Sequence, residues 1–214
     1  MSKLIADLSI SLDGFVAGPD PSMQDPLGIG GMQLHEWAFA ARSWQTAHGH
    51  DAGEANADSD LIDSLHANVG AGIMGRKMYS GGSGPWEDDA NGRGWWGENP
   101  PFHHEVFVLT SHAREPLVME GDTTFHFITD GVQAAYDRAT AASGGKDIQI
   151  HGGGSIVSQY LRAGLLDELT VHIAPVFLGS GSRLLEDVPA GRLELRSTFA
   201  SPTGVTHITY GVVK

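Results

Sequence analysis

The chain has 214 residues, of which 41% are hydrophobic and 18% are charged, and it contains no cysteine. This length suffices for one domain with a full hydrophobic core, and no apolar run approaches the roughly 20 residues of a membrane span. The formal net charge of -13 without a cluster of Lys or Arg argues against nucleic acid as a partner. Without cysteine there is neither a disulfide framework nor a thiolate zinc site. Because a signal-peptide pattern is also missing, we expect a cytoplasmic protein with a single domain over residues 1–214.

Eight segments carry the continuous or alternating apolar pattern of β-strands. They are residues 3–11, 71–75, 105–111, 124–129, 147–151, 168–178, 192–199 and 205–213. Helical spacing predicts one helix that follows Asp130 and ends at Gly144, and a second between Ser155 and Gly164. A third helix is predicted over residues 32–45, and a weaker one over 58–68.

Strands and helices alternate as far as residue 170, and two strands then follow without a helix between them. This order predicts an α/β three-layer sandwich around a mixed eight-stranded sheet, mainly parallel with an antiparallel C-terminal edge. Two stretches, at about 19–57 and 80–104, exceed the loops of a minimal sandwich. We interpret both as insertions, since loops of this length tend to be functional or disordered.

The stretch "IQIHGGGSIVSQYLRAG" places three glycines between a strand and a helix. An esterase oxyanion hole needs a nucleophile elbow, and no serine has glycine two positions before and two positions after it. A dinucleotide fingerprint also fails, because Val157 occupies the third glycine position. Two interpretations remain open: phosphate binding at a helix N-terminus, and a close strand-helix turn without a ligand.

Further motifs occur in the order "SLDGFVAGPD" (11–20), "IMGRKMY" (73–79), "FVLTS" (107–111) and, after the glycines, "LLDELTVHIAPVFLGSGSRLLED" (165–187). Together they resemble the dihydrofolate reductase-like family. The last motif is most similar to the C-terminal reductase domain of the bifunctional riboflavin-biosynthesis deaminase-reductase. The resemblance covers the chain apart from the two insertions and implies the dihydrofolate reductase-like fold.

The resemblance also implies NADPH, laid across the carboxyl ends of the parallel strands. Arg76 and Lys77, which follow Gly75, would then face the 2′-phosphate, while Met78 replaces a threonine that is usual in the family. The other implied cofactor residues are Asp13, Gly14, Phe15 and Val16 in the loop over the nicotinamide, Thr110, Ser111 and His112 beside the adenine, and Gly152, Gly153, Gly154, Ser155, Ile156 and Val157 around the pyrophosphate and ribose. A cis peptide is implied at Gly152-Gly153.

Hydride transfer to a C=N or C=C bond requires a proton source. The family places a buried carboxylate on the helix before "IMGR", and we assign it to Asp60, with Asp58 and Asp63 as alternatives. Trp95 and Trp96 either stack on a flat heterocycle or anchor the insertion. Arg183 either meets a substrate phosphate or has a helix-cap or surface role.

The resulting hypothesis is an NADPH-dependent reductase of a small pyrimidine or pterin-like heterocycle, acting without a metal. The resemblance implies either 5-amino-6-(5-phosphoribosylamino)uracil reductase-like or dihydrofolate reductase-like chemistry. The alternative is a protein of this fold that binds a heterocycle or confers resistance without turnover. The family also predicts a homodimer paired through the C-terminal strands, and neither nucleic acid nor membrane is expected as a partner.

Overall fold

The structure, a computed structural model, describes residues 2–22, 24–82, 84–86, 93–94 and 96–214. Its strands are β1 (Leu4–Ser11), β2 (Phe15–Ala17), β3 (Val69–Gly75), β4 (Glu105–Leu109), β5 (Leu117–Val118), β6 (Thr124–Ile128), β7 (Asp147–Gly152), β8 (Glu168–Ala174), β9 (Ser182–Arg183), β10 (Leu193–Ala200) and β11 (Thr206–Val212). Its helices are α1 (Glu36–Phe39), α2 (Arg42–Ala47), α3 (Ala57–His66), α4 (Arg76–Ser80), α5 (Gly131–Ala142) and α6 (Gly154–Arg162), with a 3-10 helix at Gly31–His35. Within the described ranges, no helix is both long enough and apolar enough to cross a membrane.

Nine strands form one mixed sheet in the order β10-β11-β8-β1-β7-β3-β4-β6-β5. The strands from β8 to β6 pair in parallel, whereas β10 and β11 at one edge and β5 at the other pair antiparallel. All eight predicted strands are present, and the ninth, β5, has two residues and is too short to show a sequence period. The predicted α/β sandwich with a mainly parallel sheet is therefore confirmed.

One face of the sheet carries the main hydrophobic core. Ile73 on β3 and Ile150 on β7 are fully buried and belong to the same cluster as Ala135 and Ala139 of α5 and Tyr160 of α6. The parallel strands are apolar on this face because helices cover it completely. Burial of each large aliphatic side chain contributes about 1.5–3 kcal/mol, so this face is the main source of stability.

The predicted helix over residues 32–45 is wrong as a continuous element. The chain instead forms the 3-10 helix, α1 and α2, and it breaks at Ala41, which has extended backbone angles (φ -75, ψ 140). Ala41 forms a β-bridge with Glu54, and its side chain is fully buried in the core. The apolar spacing therefore identified the buried side of the segment, but a tertiary backbone pairing overrode the helical period.

The second face of the sheet is divided into three parts. A cluster around Trp37 and Ile62 covers β8 and β11, and a cluster around Tyr79 and Phe125 covers β4 and β6. Between and beneath these clusters the strands carry polar side chains that point to this side of the sheet. We call this set the polar face: Asp7 and Ser9 of β1, Gln149 and His151 of β7, His172 of β8 and His207 of β11.

Candidate functional site

A pocket of about 320 Å³ opens at the carboxyl ends of β3, β4 and β6. These strands pair in parallel with Gly75 opposite Leu109 and Leu109 opposite Ile128, so all three end at the same edge. The pocket is lined by Arg76, Leu109, Thr110, Ser111, Ile128, Thr129, Gly131, Ile156 and Gln159. In open α/β sheets this edge is where ligands bind. The structure thus brings together four residues that the resemblance assigned to the cofactor, Arg76, Thr110, Ser111 and Ile156.

The guanidinium of Arg76 is buried in this site, with the residue only 7% exposed. It stacks over the Trp86 ring at 3.7 Å and donates a hydrogen bond to Ser80 Oγ. Burial, together with the nearby charge of Arg114, lowers the pKa of Arg76. Within the described chain, Arg76 forms no ion pair with a carboxylate, and its Nε has no hydrogen-bond partner. A buried cation without a counter-charge is costly, so the site favours an anionic ligand.

The glycine turn joins β7 to α6 at the same edge of the sheet. The peptide bond between Gly152 and Gly153 is cis, as the resemblance implied. Gly153 is the N-cap residue of α6, which has no side-chain cap, and a Cβ built on Gly153 would have no heavy atom within 4 Å. The N–H groups of Ile156 and Val157 donate to the Gly153 carbonyl, while the space beside Gly153 is open and lies at the helix N-terminus, where the dipole favours negative charge. Ser155 is exposed here, whereas Gly154, Ile156 and Val157 pack inward.

The loop after β1 is fixed by its own side chains. The Asp13 carboxylate accepts hydrogen bonds from the backbone N–H of Leu178 at 3.1 Å and of Gly179 at 2.7 Å. Hydrogen bonding from Ser11 is the main cause of the lowered pKa of Asp13. Gly14 has a φ of 88, a left-handed conformation that favours glycine. The N–H of Gly14 donates to the carbonyl of Ser11 at 2.9 Å, and its carbonyl accepts from the N–H of Leu184 at 3.2 Å, so hydrogen bonds within the protein hold both Asp13 and Gly14.

Arg183 braces the same loop. Its Nη1 donates to the carbonyl of Asp13 at 3.1 Å, and its guanidinium lies 4.4 Å from the Phe15 ring centroid. Phe15 and Val16 are buried and therefore contribute to the core. Of the two roles left open by the sequence, the observed contacts of Arg183 support the protein loop rather than a substrate phosphate.

The buried carboxylate of α3 is Asp58 and not the predicted Asp60. Asp60 lies on the exposed side of the helix, whereas Asp58 is only 1% exposed. Asp58 accepts hydrogen bonds from Ser201 Oγ at 2.8 Å and from Thr203 Oγ1 at 3.0 Å. The helical phase turns Asp58, and not Asp60, toward the sheet, where it contacts His207 of β11. The alternative, Asp63, is also exposed.

The remaining predicted residues are distributed around the second face. Trp96 packs edge-to-face on Phe102 at 4.9 Å within the Tyr79 cluster, while Trp95 lies outside the described residues. Lys77 is exposed beside Arg76. Met78 packs closely on Gly152, because a Cβ added to that glycine would lie only 2.7 Å from Met78 Sδ. Met78 therefore connects α4 to the glycine turn, in addition to lacking the hydroxyl usual at this position.

The contact made by Trp86 was not predicted from the sequence. Its Nε1 donates to the carbonyl of His112 at 2.9 Å, which connects the second insertion to the end of β4. Thr110 Oγ1 accepts from the N–H of His112 at 3.1 Å, so the segment beside the pocket is ordered by local hydrogen bonds. Trp86 lies in the second insertion and stacks on Arg76 of α4. Such a tertiary contact has no sequence period from which it could be predicted.

A family model described as RibD C-terminal domain matches residues 2–207. The chain is 24% identical to the uncharacterized protein YyaP of Bacillus subtilis (strain 168) over 220 residues, covering 97% of this chain and 94% of that protein. A putative riboflavin biosynthesis protein from Shewanella sp. PV-4 has a similar structure, with a TM-score of 0.64, 20% identity and 99% coverage of both chains.

Dihydrofolate reductase from Enterococcus faecalis, solved in complex with NADP(H), superposes with a TM-score of 0.53 and 14% identity, covering 99% of this chain and 97% of that one. These structural neighbours show a dihydrofolate reductase-like fold. The family model spans nearly the whole sequence, and the chain belongs to the RibD C-terminal domain family.

Proposed function

We propose that the protein is an NADPH-dependent reductase of a small pyrimidine or pterin-like heterocycle. The observation that carries this proposal is the pocket at the ends of β3, β4 and β6, whose wall contains the buried guanidinium of Arg76, a cation that pairs with no carboxylate among the described residues. Membership in the RibD C-terminal domain family and the likeness to dihydrofolate reductase support a reductase on this fold.

NADPH fits the residues that are present. Its 2′-phosphate would supply the counter-charge that Arg76 lacks within the described chain, and Thr110 and Ser111 would lie beside the adenosine. The pyrophosphate would occupy the open space at Gly153, at the N-terminus of α6, where the helix dipole favours an anion. The loop at Gly14 would cover the nicotinamide. When bound, NADPH supplies the hydride; the protein orients it and excludes water.

Titration of NADPH fluorescence, followed by a screen of pyrimidines and pterins for NADPH oxidation, tests this function. Binding of NADPH together with oxidation in the presence of one heterocycle supports the reductase. Binding without oxidation by any heterocycle favours the alternative, a protein that holds a heterocycle without turnover. Absence of NADPH binding contradicts both the cofactor assignment and the reductase.

We also propose that the protein is a homodimer paired through β10 and β11. Strand β10 is an outer strand of eight residues and is exposed throughout. Leu193 and Leu195 are 45% and 60% exposed, which is unusual for an edge strand of a monomer. A second copy of the chain would cover these side chains. Light scattering at micromolar concentration should give twice the monomer mass of 22.7 kDa, and the monomer mass itself would contradict the proposal.

A further inference from the structure

Trp86 of the second insertion contacts the candidate pocket from two sides. On one side, its ring stacks on the guanidinium of Arg76, with 3.7 Å between Cζ and the ring centroid. On the other side, its Nε1 donates to the carbonyl of His112 at 2.9 Å. Thr110, which lines the pocket together with Arg76, accepts a hydrogen bond from the N–H of His112 at 3.1 Å. Trp86 therefore connects the ends of β3 and β4, the two neighbouring strands that carry these pocket residues.

The Trp86 ring is itself held in place by aromatic neighbours. It packs edge-to-face on Phe127 of β6 at 4.8 Å and on Tyr79 of α4 at 6.0 Å. Both of these rings are buried, so they have little freedom to move. Together with the hydrogen bond from Nε1, they fix the plane of the indole. A fixed indole plane in turn orients the guanidinium of Arg76 that stacks on it.

Stacking engages the face of the Arg76 guanidinium and leaves its edge for hydrogen bonds. The N–H donors of a guanidinium lie in its plane, so a ring on the face competes with none of them. Nη1 donates to Ser80 Oγ, whereas Nε has no hydrogen-bond partner. No carboxylate of the described residues forms an ion pair with Arg76. A carboxylate would neutralise this cation, whereas the indole ring stabilises it and leaves its full charge for a ligand.

We propose that Trp86 is a positioning residue that holds the guanidinium of Arg76 in the wall of the pocket as an anion-binding group. It thereby determines the preference for a cofactor that carries a 2′-phosphate. This inference rests on the proposed function. Without the ring, the arginine side chain samples other rotamers, and only part of the population presents its charge to the pocket. The apparent dissociation constant of an anionic ligand rises as that fraction falls.

Packing alone is the competing explanation, because Trp86 also packs against the Tyr79 cluster. In that case, replacement of Trp86 would lower the free energy of unfolding and leave the ratio of the NADPH and NADH affinities unchanged. Trp96 provides a matched comparison, since it lies in the same insertion and packs against the same cluster. Its ring contacts Phe102 at 4.9 Å, and no cation–π contact of the described residues joins it to Arg76.

Fluorescence titration of NADPH and NADH with the unmutated protein and its variants measures the preference. In Trp86→Leu, the ratio of the NADPH affinity to the NADH affinity should fall by about 2- to 30-fold, the range that corresponds to one lost cation–π contact. The control Trp96→Leu should keep the ratio of the unmutated protein. Trp86→Phe retains an aromatic face for Arg76, so it should keep more of the preference than Trp86→Leu does.

NMR of the Arg76 side chain tests its placement in the cofactor-free protein. Because the guanidinium lies over the indole face, the ring current of Trp86 should shift the Nε–H resonance of Arg76 upfield. The shift should be present in the unmutated protein and in Trp96→Leu, and it should be lost in Trp86→Leu. Inorganic phosphate, added as a probe without cofactor, should perturb the Arg76 resonances, with a dissociation constant about 2- to 30-fold higher in Trp86→Leu.

An unchanged ratio of cofactor affinities in Trp86→Leu would overturn the positioning role and leave the proposed function standing. Phosphate binding that weakens in Trp86→Leu, in a protein that binds no NADPH, would support the positioning of Arg76 and contradict the proposed function. Equal phosphate affinities in Trp86→Leu and the unmutated protein would also overturn the positioning role. If Trp86→Leu does not fold, the Arg76 resonance of the unmutated protein decides, since a signal without an upfield shift would overturn the proposal.

Discussion

Replacement of Arg76 by methionine should weaken cofactor binding strongly and change the stability of the free protein only a little. A charge-assisted contact with the 2′-phosphate contributes about 1.5–3 kcal/mol, so the affinity for NADPH should fall roughly 10- to 150-fold. The affinity for NADH should be nearly unchanged, because that cofactor lacks the phosphate. In the free protein, the buried Arg76 pairs with no carboxylate among the described residues, and methionine removes a desolvated charge.

The stability effect has two parts. Methionine loses the stacking of the guanidinium on Trp86, which lies at 3.7 Å and contributes about 0.5–2 kcal/mol, and it loses the hydrogen bond to Ser80. Removal of the desolvation penalty offsets this loss, so the free energy of unfolding should change by about 1 kcal/mol or less.

Denaturant unfolding and fluorescence titration with both cofactors measure the two quantities on the same samples. Lys77→Met is the matched control, since it removes an exposed charge at the adjacent position. Its effect on NADPH affinity should be the smaller of the two. Destabilisation of Arg76→Met by more than about 3 kcal/mol with an undiminished preference for NADPH would show that Arg76 has a structural role, because a loss of that size is typical of a broken buried network.

Three further changes have defined outcomes. Gly153→Ala should weaken NADPH binding at least tenfold. The melting temperature should change little, since the added Cβ enters space that is open in the free protein. An unchanged dissociation constant for NADPH would exclude this turn from the cofactor site. Burial lowers the pKa of His35 from 6.5 to about 4, so the unfolded state takes up a proton at a higher pH than the folded state does. The free energy of unfolding should therefore fall by up to about 3 kcal/mol as the pH drops from about 6.5 to about 4. His35→Gln should flatten that part of the curve of unfolding free energy against pH, and an equally steep curve would refute the assignment. Leu195→Lys, at a side chain 60% exposed on β10, should convert the proposed dimer to a monomer in light scattering, whereas a dimer that persists would place the interface elsewhere.

The strands were predictable from sequence because the sheet and its helices impose regular periods. Residues 71–75 form a short apolar run and residues 147–151 alternate between polar and apolar, and both become central parallel strands that are buried by α5 and α6. The segment at 32–45 was not predictable in the same way. Its apolar spacing is genuine, but the bridge between Ala41 and Glu54 depends on a pairing that no local pattern indicates.

Some residues of the candidate site were likewise predictable from the sequence, and others were not. Arg76, Thr110 and Ile156 follow strand ends or a helix start, and parallel topology alone brings them to one pocket. Burial of Arg76 under Trp86 could not be foreseen, because the partner lies in an insertion. The phase of α3 was also beyond the sequence argument. Three aspartates lie in "NADSDLIDS", and only packing on the sheet distinguishes Asp58 from its neighbours.

The affinities of the unmutated protein for NADPH and NADH test the central proposal most directly. Both can be measured by titration of nicotinamide fluorescence in low and high salt. NADPH should bind more tightly by roughly 10- to 150-fold, because one 2′-phosphate contact with Arg76 separates the two cofactors. Because Arg76 is buried, this preference should persist at high salt better than a surface contact would. Equal affinities, or no binding of either cofactor, would contradict the assignment.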